Sequence, residues 1–321
     1  MSEKAEVLAE VVRGDVVESV HLGHLVALDA HGVPVRAVGD PGVTFYPRSS
    51  LKPVQAVAML RAGLDLDGEQ LALAAASHSG EPAHLDGVRA ILAGAGLTEA
   101  DLQNTPAPPW DAEAAYAWRV AGHGPSSLVQ NCSGKHAAML ATCVAAGWEH
   151  RTYLEPGHPL QQAIRASVAG LTGDGDPAHT SVDGCGAPLF SCTVAGLARA
   201  FARIATAADG TPEHRVATAI REHPWFLGGT GREVTAFIEG VPGLIAKDGA
   251  DGVFAAALPD GRALALKVLD GSPRPVPVVV AGALRALDVP LPDGLGRVDV
   301  LGHGRSVGTV RSPLPGHFSV N

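Results

Sequence analysis

Two segments of the chain alternate between apolar and polar residues in the manner of β-hairpins. Residues 16–38 read VVESVHLGHLVALDAHGVPVRAV, with the turn-forming DAHG between two halves rich in β-branched residues. Residues 252–269, GVFAAALPDGRALALKVL, repeat the pattern around a PDG turn. A helix-like run follows each hairpin, one starting near residue 52 and the other at residues 275–287. Each end of the chain is therefore predicted to be a hairpin followed by a helix.

Between these ends, apolar residues recur at helical spacing. Residues 66–240 contain runs such as HLDGVRAILAGAG, GKHAAMLATCVAAG, HPLQQAIRASVAGL and LARAFARIATAA, separated by glycine-rich breaks. The late stretch GRVDVLGHGRSVGTVRS predicts one or two further strands. The pattern predicts an α+β fold, in which both chain ends build an antiparallel sheet with flanking helices and a helical insertion. We expect residues 1–65 and 241–321 to form a sheet-plus-helix subdomain and residues 66–240 a mainly helical one, within one compact unit.

Composition narrows the class of partner. Hydrophobic residues make up 46% of the 321 positions and charged residues 18%, which is typical of a globular protein. The formal net charge of −9, with no basic run, argues against nucleic acid or an anionic membrane as partner and favours a small molecule. The acidic start MSEKAEV does not fit an export signal, and no apolar stretch approaches the ~20 residues of a membrane span. These features predict a cytoplasmic protein whose four cysteines are thiols, ligands or core residues.

The segment YPRSSLK, residues 46–52, offers a nucleophile and a base. Ser49 and Lys52 stand one helical turn apart on the same side of a predicted helix. Lys52 can act as a base only if its pKa falls by roughly 3 units, about 4 kcal/mol, and a helix N-terminus supplies only ~0.3–1 kcal/mol of that. Burial would have to supply most of it. In the alternative interpretation, Ser49 or Ser50 caps the helix, Pro53 lies in its first turn, and Lys52 points into water.

The segment ASHSGEP, residues 76–82, adds two serines and a histidine in a turn. Ser79 or Ser77 could relay a proton between Lys52 and a leaving group, or Ser79 could cap the following helix. His78 is a candidate substrate contact or an ordinary turn residue.

Two cysteines occur in glycine-containing turns. NCSGKHAAML, residues 131–140, places Asn131, Cys132, Lys135 and His136 at the start of a helix. In VDGCGAP, residues 182–188, glycines flank Cys185. Two cysteines with a nearby histidine could hold zinc, but the sequence has no CxxC pair, and buried reduced thiols are the commoner outcome.

The segment IAKDGADG, residues 245–252, places Lys247 just before the second hairpin. It is compatible with a surface turn. Alternatively, Lys247 is a cation that faces the serine helix, repels protons from Lys52 and attracts a substrate carboxylate.

Taken together, YPRSSLKP, ASHSGEP, NCSGKHAAML, HPLQQ, DGCGAP and KDGADG resemble, in the same order, the asparaginase II family of rhizobial-type L-asparaginases. The resemblance implies the fold of serine β-lactamases and penicillin-binding proteins, with serine glutaminases as relatives. It also implies hydrolysis of L-asparagine to L-aspartate and ammonia by a homodimer.

Site residues follow from the resemblance position by position. Ser49 is similar to the family's nucleophile and Lys52 to its base. The resemblance gives Ser79 a part in proton transfer and makes Lys247 the last member of the charged set. It further points to Arg48, Asn131 and His136 as site residues and implies a zinc ion held by Cys132, Lys135 and Cys185. We expect the first three of these residues, together with His78 from the ASHSGEP turn, to bind substrate.

The chain departs from the β-lactamase pattern in two places. It has no Ser-x-Asn motif at the expected position, and the Lys-Thr-Gly element reads Lys247-Asp248-Gly249. These departures argue against β-lactam chemistry. Two alternatives to an asparaginase stay open from sequence. The first is a glutaminase or broader amidase, because one methylene group of the substrate changes binding by only ~1–3 kcal/mol. The second is a non-catalytic zinc or amino-acid binding protein on the same fold.

Overall fold

The computed structural model describes residues 1–314, in which strands from both chain ends enclose a helical middle. The strands are β1 (Glu6–Arg13), β2 (Val16–Leu28), β3 (Pro34–Val38), β4 (Thr44–Phe45), β5 (Thr180–Val182), β6 (Pro188–Phe190), β7 (Cys192–Thr193), β8 (Ile245–Gly249), β9 (Val253–Ala257), β10 (Ala263–Val268), β11 (Val298–Gly302) and β12 (Arg305–Arg311). The α-helices are α1 (Lys52–Arg61), α2 (Gly68–Ala74), α3 (Pro82–Gly94), α4 (Ala112–Val120), α5 (Ser133–Ala146), α6 (Pro159–Thr172), α7 (Val194–Ala205), α8 (Pro212–Glu222), α9 (Pro224–Leu227), α10 (Glu233–Gly240) and α11 (Val276–Ala286).

The main sheet is antiparallel and joins the two ends of the chain. Its strand order is β11-β12-β1-β2-β10-β9-β8, and β3 also pairs with β2. The long strand β2 pairs with β1 along its first half, with β3 along its second half, and with β10 on its other edge. Glu10 of β1 lies opposite Arg311 of β12, a separation of almost the whole chain. The predicted α+β class, with both hairpins and a sheet from both ends, is confirmed.

Helices cover both faces of the sheet centre. All five residues of β9 are buried, although successive side chains of a strand point to opposite faces. Helices α7 and α11 both contact β9 and β10. An apolar run rather than an alternating one is expected for strands covered in this way.

The helix predicted to follow the first hairpin, α1, is a central element of the helical layer. All residues from Lys52 to Leu60 are buried, and α1 packs against α5, α6 and α8. The predicted helices around residues 84–96, 134–147, 158–171 and 197–208 are present as α3, α5, α6 and α7. No helix within residues 1–314 has the length and apolar character needed to cross a membrane.

The sequence pattern misses β1, for a local reason. Leu8, Ala9 and Val11 are all buried, and the register with β2 shifts between Val7 and Ala9, so alternation is lost. The short pairs β4–β7 and β5–β6 are also unpredicted. The division into subdomains at residues 65 and 240 stays a prediction, and its last residues, 315–321, lie outside the described part of the chain.

Candidate active site

A short 3₁₀ turn, Arg48–Leu51, leads directly into α1 and presents the two serines differently. Ser50 is buried and its hydroxyl donates to the carbonyl of Lys247 at 3.1 Å, which fastens the turn to β8. Ser49 is partly exposed, lines a cavity of about 490 Å³, and its hydroxyl has no hydrogen-bond partner within residues 1–314. Neither serine caps α1, which starts without a side-chain cap, so the capping interpretation is wrong. The unpaired hydroxyl of Ser49 is available for chemistry.

The backbone immediately before Ser49 is strained. Arg48 has φ of +54°, a left-handed conformation that costs a non-glycine residue of order 1–3 kcal/mol. Its guanidinium forms ion pairs with Asp183, at 2.7 Å, and with Asp251. Arg48 therefore joins the serine turn to two other loops, and its side chain is already committed to two carboxylates.

Lys52 is buried directly behind this turn. Only 1% of the residue is exposed. Its amine donates to the carbonyl of Ala76 at 2.5 Å, the hydroxyl of Ser77 at 3.0 Å and the sulfur of Cys132 at 3.1 Å. The interpretation in which Lys52 points into water is therefore wrong. Ser77 lines the same cavity as Ser49, so a hydroxyl in contact with Lys52 faces the space where a substrate would lie.

Ser79 and His78 are turned away from that space. The hydroxyl of Ser79 donates to the carbonyl of Gly228 at 3.0 Å, and a Cβ atom at Gly229 would lie 2.2 Å from this hydroxyl. Gly229 thus lets the segment pack tightly over Ser79. His78 accepts from the amide of Gly80 and contacts Ser133, and burial lowers its pKa well below the ordinary value. The serine that the structure brings to Lys52 is Ser77, the alternative left open by the sequence.

The three predicted zinc ligands converge below Lys52. The amine of Lys135 lies 3.1 Å from the sulfur of Cys185, and the thiol of Cys132 is hydrogen-bonded to Cys185. The hydrogen bond from Cys132 and the charge of Lys135 lower the pKa of Cys185 to about 4, against the effect of burial. The same hydrogen bond and burial raise the pKa of Cys132 to about 12. The two pKa values move in opposite directions because the two sulfurs share one hydrogen bond.

No group of three or more His, Cys, Asp or Glu residues suited to a metal ion occurs in the described chain. Cys143 and Cys192 are buried in the apolar core, as their apolar surroundings predict.

Asn131 and His136 flank the thiol pair. Asn131 lines the cavity, and its side-chain oxygen accepts from Gln130. His136 is fully buried, contacts the hydroxyl of Tyr153 at 2.7 Å, and does not line the cavity. Burial lowers the pKa of His136 well below its ordinary value.

Lys247 lies on β8, facing the serine turn. Its amine is fully buried and donates to the backbone and carboxylate of Asp248. Burial lowers its pKa to about 8 against the attraction of Asp248, and repulsion from Lys52 adds to the lowering. Arg232 also pairs with Asp248, at 2.8 Å. The interpretation of Lys247 as a residue in a surface turn is wrong.

Sequence reasoning misses three residues on the cavity wall. Trp110, Arg232 and Glu233 line it with Ser49 and Ser77. The guanidinium of Arg232 lies 5.3 Å from the ring centre of Trp110 and donates to the carbonyl of Ser77. These residues belong to no motif that the sequence analysis singled out, and only their charges could have marked Arg232 and Glu233.

An unpaired hydroxyl that faces a cavity, with a buried amine and a second hydroxyl beside it, is suited to nucleophilic attack on an acyl carbon. Fold and site thus define a hydrolase. Residues 9–312 match the model of the L-asparaginase II family, and the chain belongs to that family. It is an amidohydrolase, which removes the non-catalytic alternative.

Several solved structures are similar to the chain at low sequence identity. A β-lactamase from Mycobacterium bovis is 13% identical, with 83% of this chain and 94% of that chain covered and a TM-score of 0.47. A structure of Mglu is 16% identical over 85% of this chain, with a TM-score of 0.44, and the chain spans 62% of its length. EstCE1, a hydrolase with promiscuous acyltransferase activity, is 13% identical, with 82% of this chain and 93% of that chain covered and a TM-score of 0.42. No curated protein matches the chain.

Proposed function

We propose that this amidohydrolase converts L-asparagine to L-aspartate and ammonia, with Ser49 as its nucleophile. The observation that supports this most directly is the position of Ser49. Its free hydroxyl shares a cavity with Ser77, whose own hydroxyl contacts the buried amine of Lys52. Membership of the family supports amide hydrolysis as the reaction class. The choice of L-asparagine as substrate rests on the resemblance of the sequence motifs to those of the family.

In the proposed reaction, the Ser49 oxygen attacks the carbon of the side-chain amide while its proton passes through Ser77 to the amine of Lys52, which acts as the base. The proton then goes to the leaving nitrogen, ammonia departs, and a β-aspartyl ester of Ser49 remains. Water attacks this ester, Lys52 accepts a proton from the water by the same route, and Ser49 regains a proton as aspartate leaves. Lys247 adds positive charge beneath the site, where oxyanion character develops.

The donor set below Lys52 fits a zinc ion. Two sulfurs and one amine converge, and the pKa of the Cys185 thiol is lowered. We propose that Cys132, Cys185 and Lys135 hold zinc, which requires Lys135 to lose its proton. A bound ion would fix the two cysteine-bearing turns relative to each other. Because Cys132 also contacts Lys52, these turns position the catalytic amine.

The test is ammonia release by the wild-type protein and by Ser49→Ala, with L-asparagine and with L-glutamine. We expect kcat to fall by on the order of 10⁴-fold or more in Ser49→Ala. Ser50→Ala is the matched control, because its hydroxyl is directed to β8 and not to the cavity. It should lose some stability and keep its chemistry. Undiminished hydrolysis by Ser49→Ala would show that Ser49 is not the nucleophile. A higher kcat/KM for glutamine than for asparagine would show that glutamine is the preferred substrate.

The resemblance also supports a cytoplasmic homodimer, which we include in the proposal. Light scattering on the purified protein measures the assembly directly, and a monomeric mass at working concentrations would remove the homodimer.

A further inference from the structure

The carboxylates of the cavity wall are not equivalent. Asp248 pairs with Lys247 and Arg232, and Asp251 pairs with Arg48. Glu233 also lines the cavity, and its carboxylate has no hydrogen bond or ion pair within residues 1–314. Glu233 lies at the exposed rim of the cavity, and the partial burial of its carboxylate raises its pKa. An unpaired carboxylate facing a cavity is suited to bind a cation.

The adjacent residue supplies the opposite charge. Arg232 uses one N–H on the carbonyl of Ser77 and one on Asp248. A guanidinium has five N–H donors, so three are left for a ligand. The ring of Trp110 lies against the guanidinium and limits its movement. Arg232 therefore contacts the backbone of Ser77, and the hydroxyl of the same residue contacts Lys52.

The residues that the sequence analysis put forward for substrate binding supply little charge to this space. Neither Arg48, whose charge is offset by two carboxylates, nor the buried His78 and His136 line the cavity. Of that set, Asn131 alone lines it. A substrate with both an ammonium and a carboxylate group therefore finds its complementary charges elsewhere in the wall.

We propose that Arg232 and Glu233 form an α-amino acid subsite, in which Arg232 binds the substrate carboxylate and Glu233 binds the substrate ammonium group. This inference rests on the proposed function, because it takes the amide end of the same substrate to lie at Ser49. The subsite restricts the enzyme to amides of free amino acids. Simple amides and amides within a peptide chain lack one or both of the charges that it pairs.

A purely structural role for either residue must be separated by experiment. Glu233 begins α10, where a negative charge stabilises a helix by its interaction with the helix dipole, and Arg232 holds Ser77 and Asp248 in place. A structural change would weaken every ligand of the cavity alike. A charge-recognition role weakens only the ligands that have the matching charge.

The experiment measures binding by calorimetry in the Ser49→Ala background, where no turnover interferes. The probes are L-asparagine, succinamate, which lacks the ammonium group, and β-alaninamide, which lacks the carboxylate. We expect Glu233→Gln to weaken asparagine and β-alaninamide by about 10- to 100-fold and to leave succinamate within about threefold. Arg232→Gln should weaken asparagine and succinamate by a similar factor and spare β-alaninamide. Glu239→Gln, at an exposed position of the same helix, is the control and should change none of the three.

The outcomes separate the subsite from the proposed function. Equal effects of Glu233→Gln on all three probes, or none on any, would overturn the subsite even if the wild-type protein hydrolyses asparagine. If the wild-type protein releases no ammonia from asparagine, but the charge-specific pattern of binding is found, the subsite stands and the proposed hydrolysis fails. Absence of binding by all three probes would overturn the subsite, while ammonia release by the wild-type protein would still decide the proposed hydrolysis.

Discussion

Ser77 and Ser79 lie two residues apart, and the structure assigns them different surroundings. We predict that Ser77→Ala lowers kcat for asparagine strongly, whereas Ser79→Ala leaves kcat within a few-fold of the wild-type value. Ser77 contacts the amine of Lys52 at 3.0 Å and lines the cavity. Ser79 donates to the carbonyl of Gly228 at 3.0 Å and does not line it.

The sizes of the two effects follow from these contacts. A hydrogen bond contributes ~0.5–1.5 kcal/mol, and a positioned proton-transfer group contributes about 10²–10⁴-fold to a rate. Ser77→Ala removes both, so we expect kcat to fall by at least about 100-fold. Ser79→Ala removes a hydrogen bond between neutral groups, which costs ~0.5–1.5 kcal/mol of stability.

Steady-state ammonia release and urea unfolding of both variants measure these quantities. Each variant serves as the control for the other, because the two substitutions remove the same atom from the same segment. Loss of activity in Ser79→Ala together with full activity in Ser77→Ala would refute the assignment. It would also restore Ser79 to the role that the family resemblance gives it.

Three further predictions concern Lys247, Cys185 and Gly249. The pKa of Lys247 is about 8 in the folded protein, against an ordinary 10.5. Between pH 8 and 10.5 the unfolded state therefore binds more protons than the folded state. The free energy of unfolding should rise with pH in this window, by up to about 3 kcal/mol. Lys247→Met should remove that part of the rise, and an unchanged slope in urea unfolding would contradict it. Metal analysis should find zinc in the purified protein and less in Cys185→Ser, and equal contents would rule out this ligand set. A Cβ at Gly249 would lie 2.7 Å from the carbonyl oxygen of Pro47, so Gly249→Ala should cost ~1–3 kcal/mol and lower activity by moving the serine turn. The open helical site Gly94, substituted by alanine, should show no loss, and equal thermal stability of the two variants would count against the clash.

The fold could be read from sequence wherever periodicity was regular. The first hairpin alternates around a clear turn, the second is two apolar runs separated by a PDG turn, and helices such as α5 have sustained apolar spacing. Strand β1 could not be recognised, because the bulge near Leu8 puts buried residues at neighbouring positions. Pairs as short as β4–β7 are formed by tertiary packing and leave no periodic signal.

The candidate site was predictable only in part, because motifs identify residue types and not the direction in which side chains point. The sequence placed Ser49 and Lys52 in one region but could not choose between Ser77 and Ser79, since both fit the same turn. It could not indicate that Arg48 forms an ion pair with Asp183, 135 positions later in the chain. Arg232 and Glu233, at the start of α10, belong to no motif, so the sequence offered no reason to select them.

The pairing of the first strands with the last has a consequence for synthesis on the ribosome. Strand β2 cannot pair with β10 until residues 263–268 have been synthesised, and β1 cannot pair with β12 until residues 305–311 have been synthesised. Ser49 therefore leaves the ribosome long before Lys247 and the strand that supports its turn. We expect the helical middle to form first and the sheet to close only near the end of translation. A chain truncated after residue 240 should show helical circular dichroism and no amidase activity, and activity in that fragment would contradict this order of assembly.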